Sequence, residues 1–162
     1  MDKFFGENAD KYRFAHLSGC ISVIPYLTCV DEFQHGVYAS PDMTAKQRRE
    51  LWRSIERKYM PWRDYDGVEF LEEGGFWMQK QHIFLYPFYY IDYALAQLGA
   101  LELYNRMNTD REAAWNDYMA LCRAGGSKPY LELLALAHLS SPFAPDTVHK
   151  ILEPLKDKVL GF

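Results

Sequence analysis

Apolar residues recur at three- and four-residue spacings along nearly the whole chain, and few stretches alternate apolar with polar, so the pattern predicts helices and no sheet. The expected fold class is all-α, a multi-helix array. The first long helix is expected from residue 8 or 10 towards 38, with 16–36 apolar on several sides, as in a helix buried by its neighbours. Pro25 lies inside it and predicts a kink near Ser22. Ser40-Pro41-Asp42 breaks the pattern, and Thr44 followed by Gln47 is a capping-box signature for a helix to residue 59, with Leu51, Trp52, Ile55 and Tyr59 as its apolar stripe. Residues 60–75 carry Pro61, Gly67, Gly74 and Gly75 and read as an irregular connection or one short helical turn. A helix over 76–86 follows, and Pro87 marks its end or a kink before a helix over 88–107, whose stripe of Ile91, Leu95 and Leu98 is interrupted by Glu102 between Leu101 and Leu103. Thr109 with Glu112 makes a second capping box for a helix ending at Gly125-Gly126, and Ser127 with Pro129 opens the next. The last helix starts at Asp146, uses Val148, Ile151, Leu152, Leu155 and Val159 as its apolar face, and is bent by Pro154. With no repeat, low-complexity tract or long linker, residues 1–162 read as a single all-helical unit.

Composition narrows the class without naming a function. The 162 residues are 49% hydrophobic and 25% charged, which suits one globular domain with a real core. Lysine and arginine number 18 against 22 acidic residues, a net charge of -4 with no block of like charge, so no nucleic-acid partner is expected. The longest apolar run, residues 19–30, is short for a bilayer, contains Pro25 and meets Asp31 and Glu32, and nothing at the N-terminus reads as a signal peptide. The expectation is no membrane and a cytoplasmic location. Cys20, Cys29 and Cys122 form no C-x-x-C pair, which speaks against disulfides and a thiolate zinc site and for buried thiols.

Two constellations carry candidate chemistry. Asp31-Glu32-Phe33-Gln34-His35 would be the zinc motif H-E-x-x-H if it began with histidine, but aspartate removes one imidazole of the helical clamp. Glu32 and His35 also form one Glu-x-x-His pair, whereas a di-iron bundle needs two, and no other occurs in the chain. A hydrogen-bonded polar cluster ending a buried helix accounts for these residues more simply. The second constellation, residues 79–93, gathers His82, Tyr86, Tyr89, Tyr90 and Tyr93, with Tyr90 and Tyr93 on one helical face. Converging phenols and an imidazole can donate to a carbonyl oxygen acquiring negative charge. Aromatic packing explains the same residues, and spacing alone does not separate the two readings.

In combination these segments are recognisable. Ile24-Pro25-Tyr26 with Val30-Asp31-Glu32-Phe33-Gln34-His35, Tyr59-Met60-Pro61, and His82-Ile83-Phe84 with the run from Pro87 to Ala96 closely resemble the C-terminal part of oligoendopeptidase F, a member of the thimet-oligopeptidase-like zinc metallopeptidases. The resemblance covers essentially the whole chain, and the order D-E-F-Q-H then H-I-F-x-x-P-F-Y-Y-I-D-Y is specific where neither motif is so alone. It implies the C-terminal part of a zincin-like oligopeptidase catalytic domain. In that family zinc is held by the two histidines of H-E-x-x-H and a glutamate on the next helix, and the motif's own glutamate activates water. No position here matches those, so no metal is expected on this chain, although the intact enzyme implies zinc. The resemblance also implies that His82, Tyr90 and Tyr93, with Tyr89 and Tyr86 as further candidates, face the cleft and bind the substrate backbone or the tetrahedral intermediate.

The leading expectation is thus a segment of a cytoplasmic zinc oligopeptidase acting on short peptides, inactive alone and partnered by the missing N-terminal part of the catalytic domain. Its exposed cleft surface predicts a homodimer of the isolated chain. The rival is a standalone, non-catalytic helical module that binds peptides or a protein.

Overall fold

The computed structural model describes residues 1–160, and no strand occurs among the described residues. The helices are α1 (Asp2–Phe5), α2 (Ala9–Ala39), α3 (Ala45–Tyr59), α4 (Glu69–Glu72), α5 (Gln81–Leu85), α6 (Tyr90–Met107), α7 (Arg111–Ala124), α8 (Tyr130–Leu136), α9 (Thr147–Leu152) and α10 (Lys156–Leu160), with 3₁₀ turns at Gly6–Asn8, Gly75–Gln79 and Glu153–Leu155. The all-α expectation holds. Contacts group the chain into two compact units, Ser22–Ala94 and Met1–Ile21 with the residues from Leu95 on.

In the Ser22–Ala94 unit, the second part of α2 turns Cys29, Val30 and Phe33 into a core with Trp52 and Ile55 of α3, Met60 and Trp77. Phe33 meets Trp52 edge-on at 5.3 Å and lies 5.0 Å from Trp77, the geometry aromatic quadrupoles favour. Burial pushes the Cys29 thiol up to about 12, so it is a small apolar filler at neutral pH. Pro25 sits within α2, which continues through it although the proline ring cannot donate to the carbonyl of Ile21. The stretch Asp2–Ala39 is long and apolar enough, by length and composition, to cross a membrane. Within it Leu27, Cys29, Val30 and Phe33 are buried in protein.

α3 begins as its sequence predicts. The Gln47 N–H donates to Thr44 Oγ1 at 3.3 Å and the Thr44 N–H to Gln47 Oε1 at 2.8 Å, a reciprocal box that satisfies two otherwise orphan donors. Thr44→Ala should lower stability by about 1 kcal/mol, the ordinary value of such a cap. A shift in urea midpoint at constant slope checks it. The buried side of α3 also contains Arg53 and Glu56, which the apolar stripe did not predict.

The helix expected over 76–86 is two short pieces. Gly74 takes a left-handed φ of 93°, the 3₁₀ turn Gly75–Gln79 buries Trp77, and Lys80 is extended before α5 begins. Lys80 lies over the rings of Phe76 at 4.8 Å and Tyr26 at 5.5 Å, so tertiary cation–π contacts hold the residue at which the helical pattern breaks.

In the other unit, Leu103 of α6 packs with Leu134, Ala137 and Leu139 around α8. Glu102, the interruption in the apolar stripe, accepts from the Ser140 N–H at 3.0 Å and from its hydroxyl at 2.8 Å. The second capping box does not form, and the cap lies one residue further on. Asp110 is the N-cap of α7 and accepts from the Ala113 N–H at 3.0 Å, while the Thr109 hydroxyl turns back to the Asn105 carbonyl at 3.3 Å. Aspartate one place nearer the first turn competes successfully because its carboxylate also meets the positive end of the helix dipole. α7 ends at Gly125, as expected. Pro154 interrupts the last helix with the turn Glu153–Leu155, separating α9 from α10. Cys29 is buried, Cys20 half-buried and Cys122 exposed, so burial of all three thiols does not hold: Cys122 lies on the exposed side of α7, whose buried residue is Ala114.

Candidate functional site

The five residues singled out in the sequence come together on one wall of the Ser22–Ala94 unit. α5 carries His82 and stops at Tyr86, whose N–H returns to the His82 carbonyl at 2.9 Å, because the residue before Pro87 is driven out of helical geometry. The chain then reverses through Phe88, a non-glycine residue at φ 60°, and enters α6 at Tyr90 rather than at 88. A left-handed conformation is costly for a bulky residue and persists only where its surroundings hold it. Here the Phe88 N–H donates to Gln34 Oε1 at 3.3 Å, and the Phe88 ring lies 4.8 Å from His35 and 5.1 Å from Tyr38. The D-E-F-Q-H segment therefore props the turn that carries the tyrosines, which gives the two motifs a joint structural role.

Around that turn the His82 ring stacks on Tyr89 at 6.1 Å, meets Tyr90 edge-on at 4.9 Å and lies 6.0 Å from Tyr86. Tyr93 meets Tyr89 at 5.1 Å and Tyr90 at 6.0 Å. The Tyr93 hydroxyl donates to the Tyr89 hydroxyl at 3.3 Å, and that bond holds the Tyr93 phenol above its ordinary range. Tyr86, Tyr89 and Tyr93 are exposed, whereas His82 and Tyr90 are half-buried behind them. Phe84, Leu85 and Phe88 extend the exposed apolar surface. The wall is thus apolar in body and lined with hydroxyl donors, a surface suited to an extended peptide backbone.

Behind it stands a layer the sequence did not reveal. Tyr26 meets Tyr90 edge-on at 6.1 Å, and burial, reinforced by the Tyr90 phenol, pushes its hydroxyl well above the usual range. Arg63 lies 4.5 Å above Phe76, and Lys80 is held below its ordinary range by burial and by Arg63. Tyr26, Arg63 and Lys80 come from three separate segments, and no spacing could have joined them.

The acidic residues of D-E-F-Q-H are spent on structure. Glu32 binds Lys58 Nζ at 2.7 and 2.9 Å and accepts from Tyr59, and these contacts hold its carboxyl below the usual range. Asp31 is raised by burial against the pull of His35 at 3.4 Å. Among the described residues no group of three or more His, Cys, Asp or Glu side chains is placed to hold a metal ion. The donors among the described residues do not fit a zinc site, which needs at least three such ligands.

No family model matches the chain, and no curated protein matches it. Solved structures do. An X-ray structure described as an oligoendopeptidase F is 51% identical with a TM-score of 0.92, covering 98% of this chain and 28% of that one. PZ peptidase A with an inhibitor is 48% identical with a TM-score of 0.94, covering 100% of this chain and 29% of the other. An oligoendopeptidase F structure from Bacillus anthracis str. Ames is 40% identical with a TM-score of 0.80, covering 100% and 26%. In both fold and sequence the chain is an all-helical segment similar to part of these peptidase structures. It is similar in sequence and fold to oligoendopeptidase F structures, spans between a quarter and a third of the length of those it matches, and is consistent with a C-terminal segment of them.

Proposed function

We propose that this chain is the part of a zinc-dependent, cytoplasmic oligoendopeptidase that forms one wall of the peptide cleft, and that residues 1–162 act as one all-helical unit within that enzyme. The metal belongs to the remainder of the catalytic domain, which is the chain's principal partner. In this reading His82 and the tyrosines bind the backbone of a short peptide. Tyr93 and Tyr90 or His82 donate to the carbonyl oxygen as it gains charge, and Tyr89 and Tyr86 line the approach. The observation that carries the reading is the convergence of these donors on an exposed turn buttressed by Gln34 and His35, in a chain 40–51% identical to oligoendopeptidase structures. The same apolar wall is where a second copy would sit in the isolated chain.

The test is kinetic, in the full-length enzyme to which the segment belongs. Tyr93→Phe or His82→Ala should lower kcat by about a hundredfold or more with a smaller change in KM, because an oxyanion donor acts mainly in the transition state. Variants that keep normal kcat and melt earlier would assign the cluster to packing alone.

A further inference from the structure

The Ser22–Ala94 unit holds a cavity of about 220 Å³ beside the wall. Phe33, Val37, Tyr38, Trp77, Ile83 and Phe84 line it, and Gln34 and Arg48 complete the lining. Phe33 and Trp77 are buried and form its floor, whereas Tyr38 and Phe84 are exposed and stand at its mouth. The cavity is continuous with the wall at two points. Ile83 and Phe84 follow His82 directly on α5, and the Tyr38 ring lies 5.1 Å from Phe88, on the turn that carries the tyrosines. The polar chemistry of the lining is turned elsewhere: Gln34 Oε1 accepts from the Phe88 N–H at 3.3 Å, and Arg48 Nη2 donates to the Pro41 carbonyl at 3.0 Å. Gln34 Nε2, Arg48 Nε and Trp77 Nε1 are inaccessible, so they offer nothing to a group that enters. No carboxylate lines the space, and the one charged residue of its lining is the cation Arg48. The cavity therefore presents apolar and aromatic surface, with like charge against any basic side chain.

We propose that this cavity is a side-chain pocket of the peptide cleft, taking one medium-sized apolar residue of the substrate, leucine, methionine or phenylalanine, and rejecting lysine and arginine. Its size suits one such side chain: an apolar cavity of about 150 Å³ takes a benzene molecule, and the volume here is below that of drug-sized sites. The floor packs against the entering side chain while the wall's hydroxyls hold the backbone, so the pocket sets which peptides dock and in what register. It rests on the reading of the wall as peptide-binding.

Titration of the methyl-labelled chain with acetyl-Ala-X-Ala-amide peptides tests it, X being Leu, Phe, Ala, Asn or Lys. The Val37 and Ile83 methyl resonances should shift with the Leu and Phe peptides. These two should bind about tenfold to a hundredfold more tightly than the Ala peptide, the range for burying one such side chain. Asn, which has nearly the shape of Leu, and Lys should bind no better than Ala. Val37→Phe, which fills the cavity, should bring the Leu-to-Ala ratio close to one, and Val37→Ala, which enlarges it, should favour Phe over Leu. Each ratio is taken within one variant, so a loss of stability does not alter it. Methyl resonances that do not move, Leu binding no better than Ala, Asn or Lys binding as well as Leu, or a Leu-to-Ala ratio unchanged in both variants overturns the pocket. That outcome is separate from the kinetic test of the cleft. His82→Ala and Tyr93→Phe enzymes with normal kcat would remove the oxyanion donors, whereas lowered kcat with no Leu preference would remove the pocket alone.

Discussion

Glu56→Ala should destabilise the Ser22–Ala94 unit by about 3–5 kcal/mol, the range for breaking a buried ion pair by removing one partner. The Glu56 side chain is fully buried on α3 and pairs with Arg53 Nη1 at 2.9 Å, lies 3.5 Å from Arg63 and accepts from the Tyr65 hydroxyl. Truncation leaves Arg53, whose side chain is only 10% exposed, with Glu72 at 2.6 Å as its remaining carboxylate. It also strands the Tyr65 phenol, which burial and then Glu56 push well above the usual range. Glu56→Gln, which keeps an acceptor and the volume, should cost less. Glu50→Ala, removing an exposed pair 3.8 Å from Lys46, should change stability by no more than about 0.5 kcal/mol. Urea unfolding of the three variants measures the ordering. If Glu56→Ala costs no more than Glu50→Ala, the buried network does not hold this unit together.

Gly74→Ala should be nearly as damaging, at about 2–5 kcal/mol, by adding overlap to left-handed backbone strain. At φ 93° an added Cβ would stand 2.0 Å from the Arg49 carbonyl oxygen and 2.8 Å from its carbon. Those are backbone atoms of α3, so relief requires moving a helix rather than a side chain. Gly67 supplies the comparison: its φ is 76°, but nothing lies within 4 Å of an added Cβ. Gly67→Ala should therefore cost only the conformational part, about 1–2 kcal/mol. Equal midpoints for the two variants in thermal unfolding would show that close approach to α3 is unimportant.

Both predictions rest on residues whose importance the local sequence understated. Gly74 reads as one loop glycine among several, because a turn signal records that backbone freedom is needed but not what lies opposite it. Arg53 and Glu56 flank an apolar stripe and look solvated. They are buried because Tyr65 and Glu72 fold back over them, and those partners lie 9 and 19 residues away. The helical split at Lys80 follows the same logic, since Tyr26 and Phe76 capture a residue that the 3.6-residue period would have kept in a helix.

What the sequence determined by itself was the class of fold, the long α2, the start of α3 at Thr44, the end of α7 at Gly125, the break at Pro154, and the membership of the His82, Tyr86, Tyr89, Tyr90 and Tyr93 cluster. These depend on periodicity, caps, glycine and proline, whose physics acts within about one helical turn. Only the tertiary structure decided that Asp110 rather than Thr109 caps α7, that Glu32 is occupied by Lys58 and Tyr59, and that Gln34 anchors Phe88 across 54 residues. Hydrogen bonds and buried charges are satisfied by whichever groups the fold brings within about 3 Å, and that proximity is a property of the packed chain that no spacing along it encodes.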